Sequence, residues 1–234
     1  MILITGASQG IGHACARIVL AETTSDVMIT GRNEGSLRRA QDAIPASQRD
    51  RLLLRTCDQG DPTDVRALRA LLADPDTALE AAILCVGVNP MYTEGPRRLH
   101  ALSAETIEAT IRTNCTHTLL LTAAILERFR RQGSGVLIWI GSRAYKIGLP
   151  GAGIYCATKA FLSGLANTAH HEYAPRGVRV HLVNPGLVRT PRTAGVVDRF
   201  GSRHGIPIDD VGAVARRITA LLHTGASSAT EVDL

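Results

Sequence analysis

Short apolar runs alternate with longer amphipathic stretches along nearly the whole chain. The apolar runs show little alternation between polar and apolar residues, which is typical of strands in a parallel sheet that is buried on both faces. We therefore predict strands at 2–5, 26–30, 51–57, 81–86, 135–141 and 178–183. Helices are predicted between them, at 11–22, 36–44, 62–74, 103–132 and 155–173, with a final helix near 209–223 and a brief closing segment, TEVDL.

This regular succession of strands and helices predicts one doubly wound, Rossmann-like α/β domain that spans residues 1–234. The expected architecture is a central parallel sheet of about seven strands with helices on both faces. Residues 188–207 interrupt the pattern, because Pro and Gly recur there without hydrophobic periodicity. We expect this segment to be a substrate loop or lid.

The composition is that of an ordinary globular protein, with 45% hydrophobic and 20% charged residues in 234 positions. The net charge is +5, but the arginines are dispersed and only 3% of residues are aromatic, so no nucleic-acid partner is expected. The longest apolar stretch, 118–126, is far shorter than the ~20 residues that span a bilayer, so no membrane partner is expected either.

The five cysteines are scattered through the chain without a C-x-x-C pair, so neither a metal site nor a disulfide framework is expected. Free thiols fit a reducing cytosol. The first residues run directly into a predicted strand and do not resemble a signal peptide. We therefore expect a cytoplasmic location.

The sequence TGASQGIG, at 5–12, connects the first predicted strand to the first predicted helix. Glycines in such a turn let backbone amides approach a diphosphate, and the helix N-terminus adds positive potential there. The G-x-x-x-G-x-G spacing differs from the commonest dinucleotide fingerprint, but its place between strand and helix favours nucleotide binding over a simple tight connection. The candidate contacts in this turn are Gly6, Ser8, Gly10, Ile11 and Gly12.

The end of the second predicted strand indicates which nucleotide would bind. In dinucleotide-binding folds an acidic residue here commonly binds the ribose 2′-hydroxyl, whereas an Arg accepts a 2′-phosphate. This chain has Gly31 and Arg32 at this place, in the sequence TGRN. The missing carboxylate favours NADP(H) over NAD(H), and an ordinary surface Arg in an Arg-rich chain is the alternative.

The sequence YCATK places Tyr155 and Lys159 four residues apart on one face of a predicted helix. Lys and Arg together number 26, yet Lys146 and Lys159 are the only lysines, so the choice of cation here is unusual. A nearby ammonium favours the phenolate, and we expect it to lower the pKa of Tyr155 from its ordinary value of about 10. Tyr155 would then be a general acid or base. The alternative is a packed Tyr beside a Lys that reaches solvent.

Several small or polar residues follow predicted strands at the carboxyl edge of the sheet, where open parallel sheets bind ligands. Gly87 follows the fourth strand, Ser142 the fifth, and Pro185 with Gly186 the sixth. Turns favour such residues in any case, but the added Tyr–Lys pair is not explained by turn preference. The Ser142 hydroxyl would be placed to polarise a carbonyl oxygen.

With these motifs in order, the chain resembles the short-chain dehydrogenase/reductase family in its compact single-domain form. The likeness covers nearly the whole length and rests on TGASQGIG, Asp58 in CDQGD, Asn114 in RTNCTH, Ser142 in IGSRA, YCATK, and NPGLVRT at 184–190. It implies a catalytic set of Asn114, Ser142, Tyr155 and Lys159, in which the Lys also holds the nicotinamide ribose and the Asn supports a proton-supplying water chain. It also implies cofactor contacts at Asp58, Gly87, Pro185, Gly186, Val188 and Thr190.

The resemblance implies NADP(H)-dependent reduction of a ketone or aldehyde, or oxidation of a secondary alcohol. Two alternatives stay open: a non-catalytic NADP-binding regulatory or scaffold protein on the same fold, and a short-chain epimerase or dehydratase. Family members often pair through the helices that match 103–132 and 155–173, so we expect a homodimer or homotetramer. Candidate substrate contacts are an apolar wall of Tyr92, Tyr145, Leu149 and Ile154, and, for an anionic group, Arg97, Arg98, Arg143 and Arg192.

Overall fold

A computed structural model of the chain describes residues 1–195, 197–198, 201, 207–225 and 230–234. The strands are β1 (Ile2–Thr5), β2 (Val27–Gly31), β3 (Leu52–Thr56), β4 (Ala81–Leu84), β5 (Gly135–Ile140), β6 (Val178–Asn184), β7 (Leu187–Val188), β8 (Ile208–Asp209) and β9 (Glu231–Asp233). Seven of them form one parallel sheet in the order β3–β2–β1–β4–β5–β6–β9. The predicted doubly wound architecture is confirmed.

Helices cover both faces of this sheet. Their bounds are α1 (Gly10–Glu22), α2 (Glu34–Asp42), α3 (Pro62–Ala73), α4 (Ala104–Ile111), α5 (His117–Gln132), α6 (Ala144–Ile147), α7 (Gly153–Tyr173) and α8 (Val211–Ala220). The helices α1, α2 and α8 pack on one face, and α3, α5 and α7 pack on the other. Side chains alternate between the two cores, so Ile4 belongs to the first and Leu3 to the second, both without solvent exposure.

The predicted helix 103–132 is interrupted. A π-helical turn, Arg112–Thr116, separates α4 from α5 and contains the candidate residue Asn114. The apolar periodicity runs through this turn without a Pro or Gly to mark it, which is why the pattern predicts a single helix. Single π-helical turns inside α-helices are frequent at functional sites.

The structure describes only part of the predicted lid at 188–207. Strand β7, where the segment begins, pairs in parallel with β8, which directly follows it, so the two ends of the segment lie side by side. Residues 196, 199–200 and 202–206 lie outside the described part of the chain. The closing TEVDL segment forms β9, which pairs with β6 at the edge of the main sheet. Within the described ranges, no helix is both long and apolar enough to cross a bilayer.

Candidate functional site

The Gly-rich turn between β1 and α1 leaves no room for side chains. Gly6 and Gly10 have positive φ values of 65° and 63°, which L-residues with side chains rarely adopt. A Cβ on Gly6 would lie 3.0 Å from Val86 Cγ2, and one on Gly12 would lie 3.0 Å from Ala7 Cα. No side chain therefore covers the backbone amides at the N-terminus of α1. These exposed amides can bind the diphosphate of a dinucleotide.

A single cavity at the carboxyl edge of the sheet unites most of the predicted site residues. Those that line it are Gly6, Gly10, Ile11, Gly12, Gly87, Ser142, Tyr155, Lys159, Pro185, Gly186, Val188 and Thr190. Among the candidates, Ser8 and Arg32 line a neighbouring cavity instead, while Asn114 and Asp58 do not line the first cavity in the described part of the chain. The cavity also includes residues that sequence reasoning missed, among them Gln9, Asn89 and Thr193.

Tyr155 and Lys159 share one face of α7, as their spacing predicts. The Lys159 ammonium lies 5.5 Å from the centroid of the Tyr155 ring. Its Nζ donates a hydrogen bond of 2.6 Å to the carbonyl oxygen of Ile140, at the end of β5. Lys159 is only 4% exposed, and a Cβ on Gly87 would lie 3.1 Å from its Nζ. The ammonium is thus held in a tight channel between β4 and β5.

The expected lowering of the Tyr155 pKa is wrong for this structure. Burial raises the pKa of Tyr155 above its ordinary value, and it outweighs a hydrogen bond with Ser142 that acts in the opposite direction. Burial also lowers the pKa of Lys159 to about 8. Tyr155 therefore keeps its proton throughout the neutral range, which suits a group that donates a proton.

Asn114 braces the loop after β4. Its Nδ2 donates to the Val88 carbonyl oxygen, and its Oδ1 accepts from the Val88 amide, both at 2.8 Å. Nδ2 also donates to Thr158 Oγ1 at 3.0 Å. Asn114 therefore links the π-helical turn to α7 and to the residue that follows Gly87, so its direct contacts are to the frame of the cavity.

Hydrogen bonds fix Ser142 and its neighbours at the start of the loop after β5. Its amide donates to Asn184 Oδ1 at 3.2 Å, and its Oγ accepts from the Ala144 amide at 3.2 Å. The next amide, that of Arg143, donates to the Pro185 carbonyl oxygen at 3.0 Å. The start of this loop is therefore tied to the carboxyl end of β6.

Asp58 stabilises the turn after β3. Its Oδ1 accepts from the Gly60 amide at 2.8 Å, and its own amide donates to Asp64 Oδ2 at 2.8 Å. These bonds fix a partly buried carboxylate at the carboxyl edge of the sheet. The contact with adenine that the resemblance implies for Asp58 stays a prediction.

The neighbouring cavity is strongly basic. It adjoins the Gly-rich turn and is lined by Arg17, Arg32 and Arg39, together with Ser8, Gln9, Gly10, His13, Ala14, Asn33, Ser36, Ala40, Pro191 and Val211. No carboxylate is among these described lining residues. The sequence pattern pointed only to Arg32, because Arg17 on α1 and Arg39 on α2 meet it only after the chain folds.

The predicted substrate wall is partly wrong. Tyr92 and Leu149 do line the main cavity. Tyr145 instead donates a hydrogen bond to Glu231 on β9, and Ile154 lies in an apolar groove on the outer side of α7. The polar partner of Tyr145 is 86 residues away in sequence, so no local pattern could reveal it.

The arginines proposed for an anionic group also separate in the structure. Arg192 lines the main cavity and donates to the Gly87 carbonyl oxygen at 3.2 Å. The guanidinium of Arg143 lies against Gly186, where a Cβ would be 2.3 Å from its Nη2. Arg97 and Arg98 are not among the described residues that line this cavity.

Comparison with known proteins places the chain among dehydrogenases. A family model described as short chain dehydrogenase matches residues 1–199. The 2-(R)-hydroxypropyl-CoM dehydrogenase of Xanthobacter autotrophicus is 26% identical over an alignment of 242 residues, gaps included, which covers 99% of this chain and 93% of that protein. A solved short-chain dehydrogenase from Sphingobium yanoikuyae in complex with NADPH has a TM-score of 0.78 at 26% identity, covering 99% of this chain and 85% of that one. A short chain dehydrogenase from Burkholderia cenocepacia in complex with NADP has a TM-score of 0.86 at 25% identity, covering 100% and 95%.

Proposed function

This chain belongs to the short-chain dehydrogenase/reductase family, and we propose on that premise that it is an NADP(H)-dependent oxidoreductase acting on ketones, aldehydes or secondary alcohols. The observation that carries the proposal is the convergence of Ser142, Tyr155 and Lys159 on one cavity with the Gly-rich turn. A bound nicotinamide cofactor would supply or accept the hydride. The chain's own residues would hold the cofactor, orient the carbonyl oxygen and move the proton.

The proposed roles are those that the family resemblance implies, and the positions of the side chains in the cavity support them. Ser142 would donate a hydrogen bond to the substrate oxygen, and Tyr155, which is protonated at neutral pH, would deliver the proton to it. Lys159 would bind the ribose hydroxyls and keep positive charge near the Tyr155 ring, 5.5 Å away. The Gly6–Gly12 turn would hold the diphosphate, and Pro185, Gly186, Val188 and Thr190 would border the nicotinamide.

The proposed activity is tested by the oxidation of NADPH, followed by absorbance, against a panel of ketones, aldehydes, quinones and acyl thioesters. We expect turnover with at least one class of carbonyl compound and none in the absence of the carbonyl. The opposite outcome is tight NADPH binding with no turnover in either direction, neither of the carbonyl compounds with NADPH nor of secondary alcohols with NADP⁺. That outcome would support a non-catalytic binding protein.

The preference for NADP(H) is proposed from the basic cavity beside the Gly-rich turn. Three guanidiniums in a cavity without a described carboxylate would attract a 2′-phosphate, because Arg matches phosphate geometry with paired donors. The two solved relatives with bound NADPH and NADP support the same choice. A free 2′-hydroxyl would find no acidic acceptor at Gly31.

Replacing Arg32 by Ala should weaken NADPH binding roughly 10- to 100-fold, since hydrogen bonds to charged groups contribute about 1.5–3 kcal/mol. NADH binding should change little, because NADH lacks the 2′-phosphate. Titration of both cofactors by fluorescence measures the two effects. Arg38→Ala is the matched control, because Arg38 is exposed, pairs with Glu34 at 2.6 Å and does not line the cavity. Equal affinity of the wild type for NADH and NADPH would contradict the proposed preference.

A carboxylate at position 31 is a less suitable test than the sequence suggests. Gly31 is buried, and a Cβ there would lie 3.1 Å from Leu37 Cδ2 and 3.2 Å from Ser8 Cβ. Gly31→Asp would therefore combine a change of charge with a change of packing beside the Gly-rich turn. The Arg32 variant separates these effects, because its side chain is exposed.

Self-association is proposed from an apolar surface on α4, the π-helical turn, α5 and α7. Ile111, Leu119, Leu120 and Phe161 are 36–41% exposed and line one groove. Monomeric soluble proteins rarely expose a large contiguous apolar patch. The proposed occupant is a second copy of the chain, packed through the same helices.

Leu119→Glu should shift the protein toward monomer, because the new carboxylate would be buried without a partner in the proposed interface. Light scattering at micromolar concentration measures the mass of the wild type and the variant. Leu53→Glu is the control, since Leu53 is 42% exposed but lies on the edge strand β3 and does not line the groove. A monomeric wild type would contradict the proposal.

A further inference from the structure

A polar network connects the last strand of the sheet, β9, to the loop after β5, which carries Ser142. Asn184, at the end of β6, is fully buried. Its Oδ1 accepts from the Ser142 amide at 3.2 Å, and its Nδ2 donates to Glu231 Oε1 at 2.7 Å and to Asp233 Oδ1 at 3.1 Å. We call these three residues, Asn184, Glu231 and Asp233, the terminal network.

The two carboxylates fix the orientation of the amide. An ionised carboxylate can only accept hydrogen bonds, so both are satisfied only when Nδ2 of Asn184 points toward β9. Oδ1 must then point toward Ser142. A flipped amide would direct a donor at the Ser142 N–H and an acceptor at two acids, which would lose three hydrogen bonds at a buried position.

Close packing at Gly141 shows how near the amide lies to the loop. A Cβ on Gly141 would be 2.0 Å from Asn184 Oδ1, so glycine is required where the amide crosses the end of β5. The position of the Ser142 backbone therefore follows the position of the Asn184 side chain. A shift of Asn184 would move the loop or break its bond to Ser142.

Glu231 also holds the helical turn that follows Ser142. Tyr145 donates its hydroxyl to Glu231, and Lys146 Nζ lies 2.8 Å from Glu231 Oε1 and 2.9 Å from Asp233 Oδ1. Partial burial raises the pKa of Glu231, but hydrogen bonds from Lys146 and Tyr145 outweigh this and lower it to about 2. Glu231 is thus ionised throughout the neutral range. It binds Tyr145 and Lys146 directly, and it is linked to Ser142 through Asn184.

We propose that Glu231 and Asn184 are positioning residues that set the place of the Ser142 hydroxyl relative to Tyr155. This proposal rests on the proposed function, in which Ser142 binds the substrate oxygen. The terminal strand then belongs to the catalytic apparatus, although none of its described residues lines the cavity. Its contribution is orientation, and small misplacements of a reacting group can cost up to about 10²-fold in rate.

The test replaces Glu231 by Gln, which keeps the shape and removes one of the two negative charges that orient Asn184, together with the acceptor-only partner of Tyr145 and Lys146. We expect kcat to fall roughly 10-fold or more, with the cofactor dissociation constant unchanged. Glu127→Gln is the matched control, because Glu127 is exposed and binds Arg130 and Arg131 on α5. That control should leave kcat unchanged.

A second background distinguishes positioning from general stability. If Glu231 acts through Ser142, then Glu231→Gln should cause no further loss of kcat in a Ser142→Ala protein, because residues that act as a unit are not additive. Equal losses in the two backgrounds, or an unchanged kcat in the single variant, would overturn the proposal. All variants are assayed below the onset of their thermal unfolding.

Amide hydrogen exchange supplies a readout that does not depend on turnover. Glu231→Gln should speed exchange in the segment 141–147, and exchange in the Gly-rich turn at 5–12 should stay as in the wild type. Unchanged exchange at 141–147 would overturn the link between β9 and the loop. If the wild type reduces no carbonyl compound, the proposed function fails, and the exchange result still decides whether the terminal network holds the loop.

Discussion

Tyr155→Phe should remove nearly all turnover while leaving NADPH affinity close to that of the wild type. The substitution deletes only the hydroxyl that is assigned to move the proton, and loss of such a group typically costs about 10²–10⁴-fold. The ring stays in place on α7, so the packing around Lys159 is preserved. Steady-state kinetics and a cofactor titration on the same preparation measure the two halves.

Tyr92→Phe is the matched control for this prediction. Tyr92 lines the same cavity, and burial raises its pKa as it raises that of Tyr155. Loss of the Tyr92 hydroxyl should affect KM more than kcat, because its proposed place is the substrate wall. A folded Tyr155→Phe protein that retains most of its rate would show that another group moves the proton.

Lys159→Arg should also fail, even though Arg is by far the commoner cation in this chain. Lys159 fits a narrow channel, with Nζ 2.6 Å from the Ile140 carbonyl oxygen and 3.1 Å from where a Cβ on Gly87 would lie. The planar guanidinium is broader and keeps its proton at all accessible pH values, so it can neither occupy the same space nor relay a proton. We expect a loss of about 10²-fold or more in kcat, together with weaker cofactor binding, which Tyr155→Phe should not show.

Lys159→Met separates charge from shape, because it keeps an unbranched side chain and removes the ammonium. If positive charge alone matters, the Arg variant should be near normal and the Met variant inactive, and that pattern would contradict the prediction.

The pH dependence of the wild type tests the role of the Lys159 ammonium separately. The pKa of Lys159 is about 8, so the ammonium is present below this pH and is lost as the pH rises through it. The wild-type kcat/KM for the cofactor should fall over the same range, and the Arg variant should lack this fall.

The parts of this molecule that could be predicted from sequence are those that depend on local order along the chain. Apolar runs gave the positions of the parallel strands, and the glycines of TGASQGIG marked the turn in which Gly6 and Gly10 adopt positive φ. The i, i+4 spacing of Tyr155 and Lys159 placed both on one helix face. Each of these inferences needs only neighbours within a few residues.

The remaining features depend on contacts between distant segments. The basic cavity joins Arg17 and Arg39 to Arg32 from three different elements, so no single stretch contains it. The raised pKa of Tyr155 comes mainly from burial. Burial depends on segments that pack around Tyr155 from elsewhere in the chain, and the Lys four residues away does not reveal it. Tyr145 looked like a cavity residue from its place after Ser142, but its hydroxyl is bound by Glu231.

The two lysines of the chain also differ in how they would react with electrophiles. Hydrogen bonds to Glu231 and Asp233 raise the pKa of Lys146, so this exposed amine is almost entirely protonated and poorly nucleophilic. Lys159, with a pKa of about 8, exists in good part as the free amine at mildly alkaline pH, and it faces the cavity. Lysine reactivity usually follows exposure, but here burial produces the better nucleophile. A covalent ligand small enough to enter the cavity would therefore find its amine target at the centre of the site and not on the surface.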